Sequence, residues 1–472
     1  MNRAWLAASL ALAAFAACAE DDLRPGPATA PSRDAGVSAD DAAVKDAGTD
    51  APLVEELALE EGELLPGGAT TTTNIGIGAF TLPVANLPLA RRNAFEAGLQ
   101  FFQLPWEIAP GRREADGLGP LFNSDTCLGC HVRNGRGTAQ TVLIRLGLGP
   151  DNVPDPVYGS QLQPFGIPGT PGEATPVRQE TAVVRGGVEL IGVGYTLAGA
   201  GYGPFGDDLR ISPRIAPTMV GQGLLEAIAE RDLVAGEDPD DRDGDGISGR
   251  VHWVMDGGVR RMGRFGWKAG QPTVETQTAA AFSEDLGITT PVFPNDTCSV
   301  TQVTCRAAPN GGTPELTAER LHVTAAHVRL LSVPVRRNGE AVLAGKRLFH
   351  RAGCAACHKP SFRTGTTAIE PELADQLVWP YTDLLLHDLG EELSDHRREG
   401  DAGEREWRTP PLWSLGLVPV VNGELHLLHD GRARTFEEAI LWHGGEADRA
   451  RRAFEALSPA ERSMLVGFVE SL

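Results

Sequence analysis

The chain has 472 residues, 42% of them hydrophobic and 22% charged, with 63 acidic against 42 basic side chains and a net charge of −21. That length carries two or three domains with real cores, and the acidic balance excludes nucleic acid and other polyanions as partners. Much of the acid sits in one early segment, so the charge speaks for solubility more than for a binding face.

Residues 1–18 join a basic Arg3, an apolar run from Ala4 to Ala17, and Cys18. The run is too short to span a membrane and reads as an export signal. Small residues before Cys18 fit a bacterial lipobox, in which a lipid on Cys18 is the one link to a membrane; Phe15 is unusual there, and simple secretion is the alternative. Either route puts the mature protein in the periplasm or on the cell envelope. Residues 19–68 are dominated by Ala, Asp, Glu and Pro, the composition of a disordered acidic linker.

The spacing of Phe95, Gly98, Leu99 and Phe102 predicts a helix leading towards Cys127, Cys130 and His131. From about Leu146 to Gly270, Gly and Pro punctuate short apolar segments, which predicts loops, small strands and short helices rather than a parallel sheet. Within that stretch Asp241, Asp243 and Asp245 alternate before Gly246, as at the start of a calcium loop. The closing Glu is replaced by His252, so calcium and a solvated acidic turn are both open readings. Cys298 and Cys305 lie close together in a Pro/Asn/Thr-rich loop, and in an exported chain a disulfide fits them better than zinc, for which further ligands are lacking nearby.

A helical connector from Pro314 to Val333 precedes a second unit, in which Val342, Gly345, Leu348 and Phe349 predict a helix before Cys354, Cys357 and His358. Thr435 with Glu438, and Ser458 with Glu461, are capping boxes, the second with Pro459 at the first helical position. Leu465, Phe468 and Leu472 then share one face. The expected fold is mainly α, with two cytochrome c-like haem domains at 69–320 and 321–472, the first holding a long Gly/Pro-rich insertion of short strands and loops.

CxxCH carries its own chemistry. Two thiols three positions apart can add to the two vinyl groups of one haem, and the next residue offers an imidazole to the iron. Residue frequencies predict on the order of 0.002 chance occurrences in such a chain, and there are two. Both follow predicted helices, so two covalent c-type haems are expected, at Cys127/Cys130/His131 and Cys354/Cys357/His358.

At these residues the chain resembles the di-haem c-type oxidoreductases related to bacterial di-haem cytochrome c peroxidases. The resemblance runs from about Phe95 to Leu472. It rests on LFNSDTCLGCH at 121–131, GRFGWK at 263–268, GKRLF at 345–349, and His429-Asp430-Gly431 running into Thr435. It implies that one haem binds hydrogen peroxide while the other relays electrons from a small external donor, such as a cytochrome c or a cupredoxin. It also implies a calcium ion between the haem domains, which favours the calcium reading of Asp241, Asp243 and Asp245.

The sixth iron ligands must be inferred. Phe436, Ala439, Ile440 and His443 sit at helical offsets, which turns His443 towards the second haem; a core histidine bonded to a carbonyl is the alternative. In the better-known peroxidases a methionine stands in that role, so His443 would lower the haem's potential. His429 reads as a residue behind the ligand, His387 as a weaker rival, and His322 and His327 as structural. No histidine lies between His131 and His252, and Met219, the one methionine there, is either a weak ligand to the first haem or a core residue. The first haem is then the better peroxide site. Glu180 and Glu226 are candidates for moving the proton in peroxide cleavage, and Trp267 for shortening the electron path. Two other functions fit the same motifs: an electron-transfer cytochrome without peroxidase activity, and haem-dependent oxidation of an organic or protein substrate.

Overall fold

The computed structural model describes residues 57–472, except 113 and 338; the signal, Cys18 and most of the acidic linker lie outside the described residues. Residues 57–68, the last part of the segment read as linker, pack on the body. Glu63 is buried, accepts hydrogen bonds from Lys346 Nζ at 2.7 Å and Tyr381 Oη at 2.9 Å, and pairs with Arg336.

The expectation of a mainly α fold is overturned. Helices hold 30% of the residues and strands 18%, the strands in small antiparallel pairs. The longest pair, Thr175–Arg185 with Val188–Ala198, lies inside the stretch expected to hold only short strands and loops. Its turn explains the difference. Gly186 and Gly187 both have positive φ, 57° and 80°, which only glycine adopts cheaply and which closes a two-residue hairpin with the twist its strands require. Leu143–Leu148 pairs with Leu209–Arg214 in the same region, from Leu143↔Arg214 to Leu148↔Leu209.

Nor do two self-contained cytochrome-like domains stand out, for the described residues belong to one compact unit. Its two largest apolar cores mix the halves of the chain: Leu190 of the hairpin joins the core around Phe349, Phe436 and Phe468, while Leu384, Leu385 and Trp413 join the core around Phe95 and Phe102. A buried charge cluster fastens the segments between them. Lys268 Nζ reaches Asp395 Oδ1 at 2.9 Å, Arg214 reaches Oδ2 at 3.0 Å, and both cations lie over the Trp407 ring.

Two helix pairs frame the CxxCH segments, and each crosses at a glycine. Arg92–Gln103 packs on Ala318–Arg329 so closely that a Cβ on Gly98 would lie 2.0 Å from the Val323 carbonyl oxygen. Leu343–Arg351 meets Pro459–Ser471 in the same way, with a Cβ on Gly345 falling 2.0 Å from Met464 O. Caps set where these helices begin. Ser458 and Glu461 form the full reciprocal box with Pro459 inside it, and Leu465, Phe468 and Leu472 are buried, as the spacing predicts. At Thr435 only half the box forms: the hydroxyl accepts from Glu438 N, while the Glu438 carboxylate turns to Arg434. Cys298 and Cys305 form a disulfide.

Gly98→Ala should therefore lower the thermal midpoint, at a cost of about 1–3 kcal/mol for overpacking. Gly194→Ala, where an added Cβ meets nothing within 4 Å, should leave the midpoint unchanged or slightly raised in the same melting experiment.

Candidate functional site

At the second CxxCH segment the helix Leu343–Arg351 runs out, and Gly353, at φ 88°, turns the chain into the tight turn that carries Cys354 and Cys357. The His358 amide donates to Cys354 O at 3.0 Å, which folds the motif back on itself. Its ring nitrogen Nδ1 bonds the Tyr381 carbonyl at 3.0 Å. A cavity of about 640 Å³ opens here, walled by Cys354, Cys357, His358 and His443 together with apolar side chains such as Phe436 and Leu465. That volume lies within the ~300–1,000 Å³ of sites for bound organic groups.

His443 is the first residue past its helix, which ends at Trp442. Its Nδ1 bonds the Ala439 carbonyl at 2.8 Å. Both His358 and His443 thus spend Nδ1 on a backbone carbonyl and leave Nε2 without a hydrogen-bond partner among the described residues, the arrangement that prepares an imidazole to bind a metal. Burial pushes His358 down to about 4 and lowers His443 as well, so both rings are neutral at pH 7. The four CxxCH thiols form no disulfide, and burial raises each, those of Cys127, Cys130 and Cys354 to about 12. Neutral thiols and neutral imidazoles around one large cavity fit a haem held by two thioethers and by iron ligation.

The first segment repeats the local device. The short helix Cys127–Cys130 ends as the His131 amide donates to Cys127 O at 2.9 Å, and His131 Nδ1 contacts Gly135 O at 3.3 Å. Burial pushes this ring, too, down to about 4. Met219 is brought to the motif by its amide, which donates to Asn134 O at 3.0 Å, and it packs on the same core as Cys127 and Leu128. Phe102 stands 6.2 Å from His131, and His327 lies behind it with Nδ1 on Phe95 O and Nε2 buried without a partner. Asp285 went unnoticed in the sequence. Its surroundings push its carboxyl up to about 7, chiefly by burial, and its charge raises both Cys127 and Cys130. Its Oδ1 accepts from Gln161 at 2.7 Å, and its carbonyl accepts from Asn123 and Ser124, just before the motif.

Trp267 lines the second cavity, with Nε1 on Ile215 O at 2.8 Å and the Arg136 guanidinium 5.1 Å from its ring centre. Since Arg136 follows His131 by five residues, the indole connects the tail of the first motif to the cavity of the second. His429 lines the same cavity, stacked on Trp407 at 3.8 Å and held well below its ordinary pKa by burial and then by the Arg432, Arg214 and Lys268 charges. His387 differs. Its Nε2 bonds Asp383 at 2.9 Å and its Nδ1 bonds Glu446 at 2.7 Å. Burial opposes its charge, but the hydrogen bonds to Asp383, Cys357 and Glu446 hold it well above the usual value, and it has no nitrogen free for a metal.

Neither acid/base candidate lines this cavity. Glu180 is exposed on the hairpin and pairs with Arg178; Glu226 pairs with Arg329 at 2.6 Å and accepts from Val274 N at 2.8 Å. The oxygens of Asp241, Asp243 and Asp245 come within 4.8 Å of one another, and burial and then mutual repulsion raise Asp245. Asp245 and Ile247 reach the cavity wall, and Ser248 Oγ bonds Glu446 at 2.8 Å, which in turn holds His387.

A cavity that offers paired thiols and two neutral imidazoles, with a second CxxCH segment linked to it through an indole, is what a two-centre haem redox protein requires. A family model described as "di-haem oxidoreductase, putative peroxidase" matches residues 64–147 and 203–472, and the chain belongs to that family. It is therefore an oxidoreductase of a two-haem family. The model passes over 148–202, where the long hairpin lies. Nothing among the curated proteins or the solved structures matches.

Asp285 yields a pH test. A carboxyl whose value in the fold is about 7, against an ordinary 3.8, costs no stability while protonated and costs most once the pH exceeds 7. Asp285→Asn should raise the thermal midpoint at pH 8 and change it little at pH 4, as followed by calorimetry; an equal change at both would show that its charge is not the cause.

Proposed function

We propose that the protein is an exported di-haem peroxidase, with one haem fixed covalently at Cys127, Cys130 and His131 and the other at Cys354, Cys357 and His358. His443 completes the second site as sixth ligand, and the observation that carries the reading is its Nδ1 bond to Ala439 O on the same cavity as His358. With two histidines to hold the second haem, the first site would be the one to take peroxide; Met219 packs beside its motif, and His327 lies behind Phe102.

The bound haems supply the redox chemistry; the chain positions and insulates them. The Gly135 and Tyr381 carbonyls hold Nδ1 of His131 and His358, the rings that would ligate the two haems. Trp267, with the Arg136 side chain over its ring, gives the wall of the second cavity an aromatic surface next to the peptide that follows the first motif. Reducing peroxide to water also takes up two protons. Asp285, beside the first motif and poised at about 7, supports that step better than Glu180 or Glu226, which are spent in ion pairs. Asp241, Asp243 and Asp245 hold calcium in this reading, next to the second cavity. Electrons come from a small donor outside the cytoplasm, and a lipid on Cys18 is the anchor.

In holoprotein from a host that matures c-type cytochromes, His443→Ala should keep both haems and convert one from low-spin to high-spin in the ferric spectrum. Peroxide turnover with a reduced cytochrome c should fall by at least about 10-fold, since loss of even a residue behind a metal ligand costs about 10–100-fold. Met219→Ala should leave cyanide binding intact or faster. A ferric spectrum unchanged by His443→Ala, or cyanide binding at the haem of His358 in the unmutated protein, would refute this division of labour.

A further inference from the structure

Two buried guanidinium groups in the wall of the second cavity have no carboxylate within ion-pair distance among the described residues. Arg136 and Arg408 are 5% and 6% exposed, and neither forms an ion pair among the described residues. Arg136 donates from Nε to His426 O and from Nη2 to Leu428 O at 2.7 Å. Arg408 donates from Nε to Gly266 O at 3.0 Å and from Nη1 to Thr409 O at 3.2 Å. These carbonyls aim the two side chains and satisfy part of each fork. Nη1 of Arg136 and Nη2 of Arg408 are left without partners among the described residues. The carboxylate whose charge acts on Arg408 is Asp383, and it is engaged: Oδ2 accepts from His387 and Oδ1 from Leu385 N.

Most other buried cations of this interior are paired, Arg264 apart, which the carbonyls of Leu225, Glu226 and Ile228 hold. Lys268 and Arg214 meet Asp395, and Arg397 meets Glu399. Taking a guanidinium out of water without a counter-charge is costly, and backbone carbonyls offset that cost only in part. Burial lowers both groups only to about 10, so they keep their charge at neutral pH. The fold thus places two buried positive charges without an ion-pair partner among the described residues on a largely apolar cavity wall, and the carboxylate that acts on Arg408, Asp383, is bonded to His387 and Leu385.

We infer that Arg136 and Arg408 form an anion subsite of the second cavity and bind the carboxylate side chains of the haem held at Cys354, Cys357 and His358. The inference rests on the haem reading above and adds to it the groups that neutralise the cofactor. The planar fork of arginine matches a carboxylate with two parallel hydrogen bonds, which suits this task better than a lysine point charge. It also assigns a role to the peptide after the first motif. Arg136 reaches from there over Trp267 to the second cavity, so one side chain both spaces the two sites and sets the charge around one of them.

The test is a spectroelectrochemical titration of the holoprotein, with haem content measured alongside. Removing a positive charge beside a haem favours the ferric state. Arg136→Gln and Arg408→Gln should each retain two haems and lower the midpoint potential of the six-coordinate haem, leaving that of the other within error; if one variant fails to fold, the second carries the test. Arg136→Lys should return most of the shift. Two retained haems with both potentials unchanged in the Gln variants would overturn the subsite alone. Absence of the C-terminal haem from the unmutated protein would instead overturn the haem reading on which it rests. Titrating the unmutated protein with and without phosphate separates the sources of the anion: no shift is expected, and a phosphate-dependent shift that Arg136→Gln abolishes would mean that the pair holds a free anion and not the haem carboxylates.

Discussion

An imidazole can lend one nitrogen to a metal only while the ring is neutral and the other nitrogen holds the proton. In this protein the condition is met at His131, His358 and His443 by the same means, a backbone carbonyl on Nδ1 and enough burial to keep the ring uncharged. The surrounding architecture answers to that requirement. Gly353 turns the chain so that Cys354, Cys357 and His358 share a wall, and Tyr381, itself at φ 52°, presents its carbonyl to the ring while its hydroxyl is anchored on Glu63. His387 shows the opposite case. Two carboxylates claim both of its nitrogens, and what results is a buried ion triad rather than a ligand.

Rigidity around the two motifs comes from contacts between segments far apart in the chain. The glycine crossings at Gly98 and Gly345 let helix backbones touch, which brings Phe102 near His131 and Phe349 near His358. GRFGWK contributes at almost every position. Arg264 gathers the carbonyls of Leu225, Glu226 and Ile228, Trp267 lines the cavity, and Lys268 enters the charge cluster at Asp395. That cluster also fixes Trp407, on which His429 stacks. Electron transfer benefits from such stiffness, because centres held at fixed distances reorganise little.

Much of the site was legible from local rules, because CxxCH, capping residues and helical offsets act within a few positions of one another. Ser458 and Pro459 start their helix, and His443 reaches the second cavity although its helix stops one residue earlier than the offsets imply. The length of the strands is less legible than their presence: Gly and Pro punctuate the stretch, but Gly186-Gly187 and Gly257-Gly258, all at positive φ, are hairpin turns that join paired strands. Asp285, Arg136 and Arg408 could not be singled out because nothing adjacent in sequence marks them. Their properties arise from tertiary burial, which pushes a carboxyl up to about 7 and leaves two guanidiniums without an ion-pair partner among the described residues. Glu226 is the converse, a suitable residue type that the fold spends on Arg329 and on the start of the helix Val274–Asp285.

The claim on which the rest depends is that each CxxCH segment carries its own haem through two thioether bonds. Denaturing intact-mass measurement, followed by mapping of haem-bearing peptides, tests it on protein made in a host that matures c-type cytochromes. The expected result is a chain heavier by two haems that survive acid-acetone extraction, one on the peptide with Cys127 and Cys130 and one on the peptide with Cys354 and Cys357. A chain at the mass of the bare polypeptide, or with both haems lost on extraction, would contradict it.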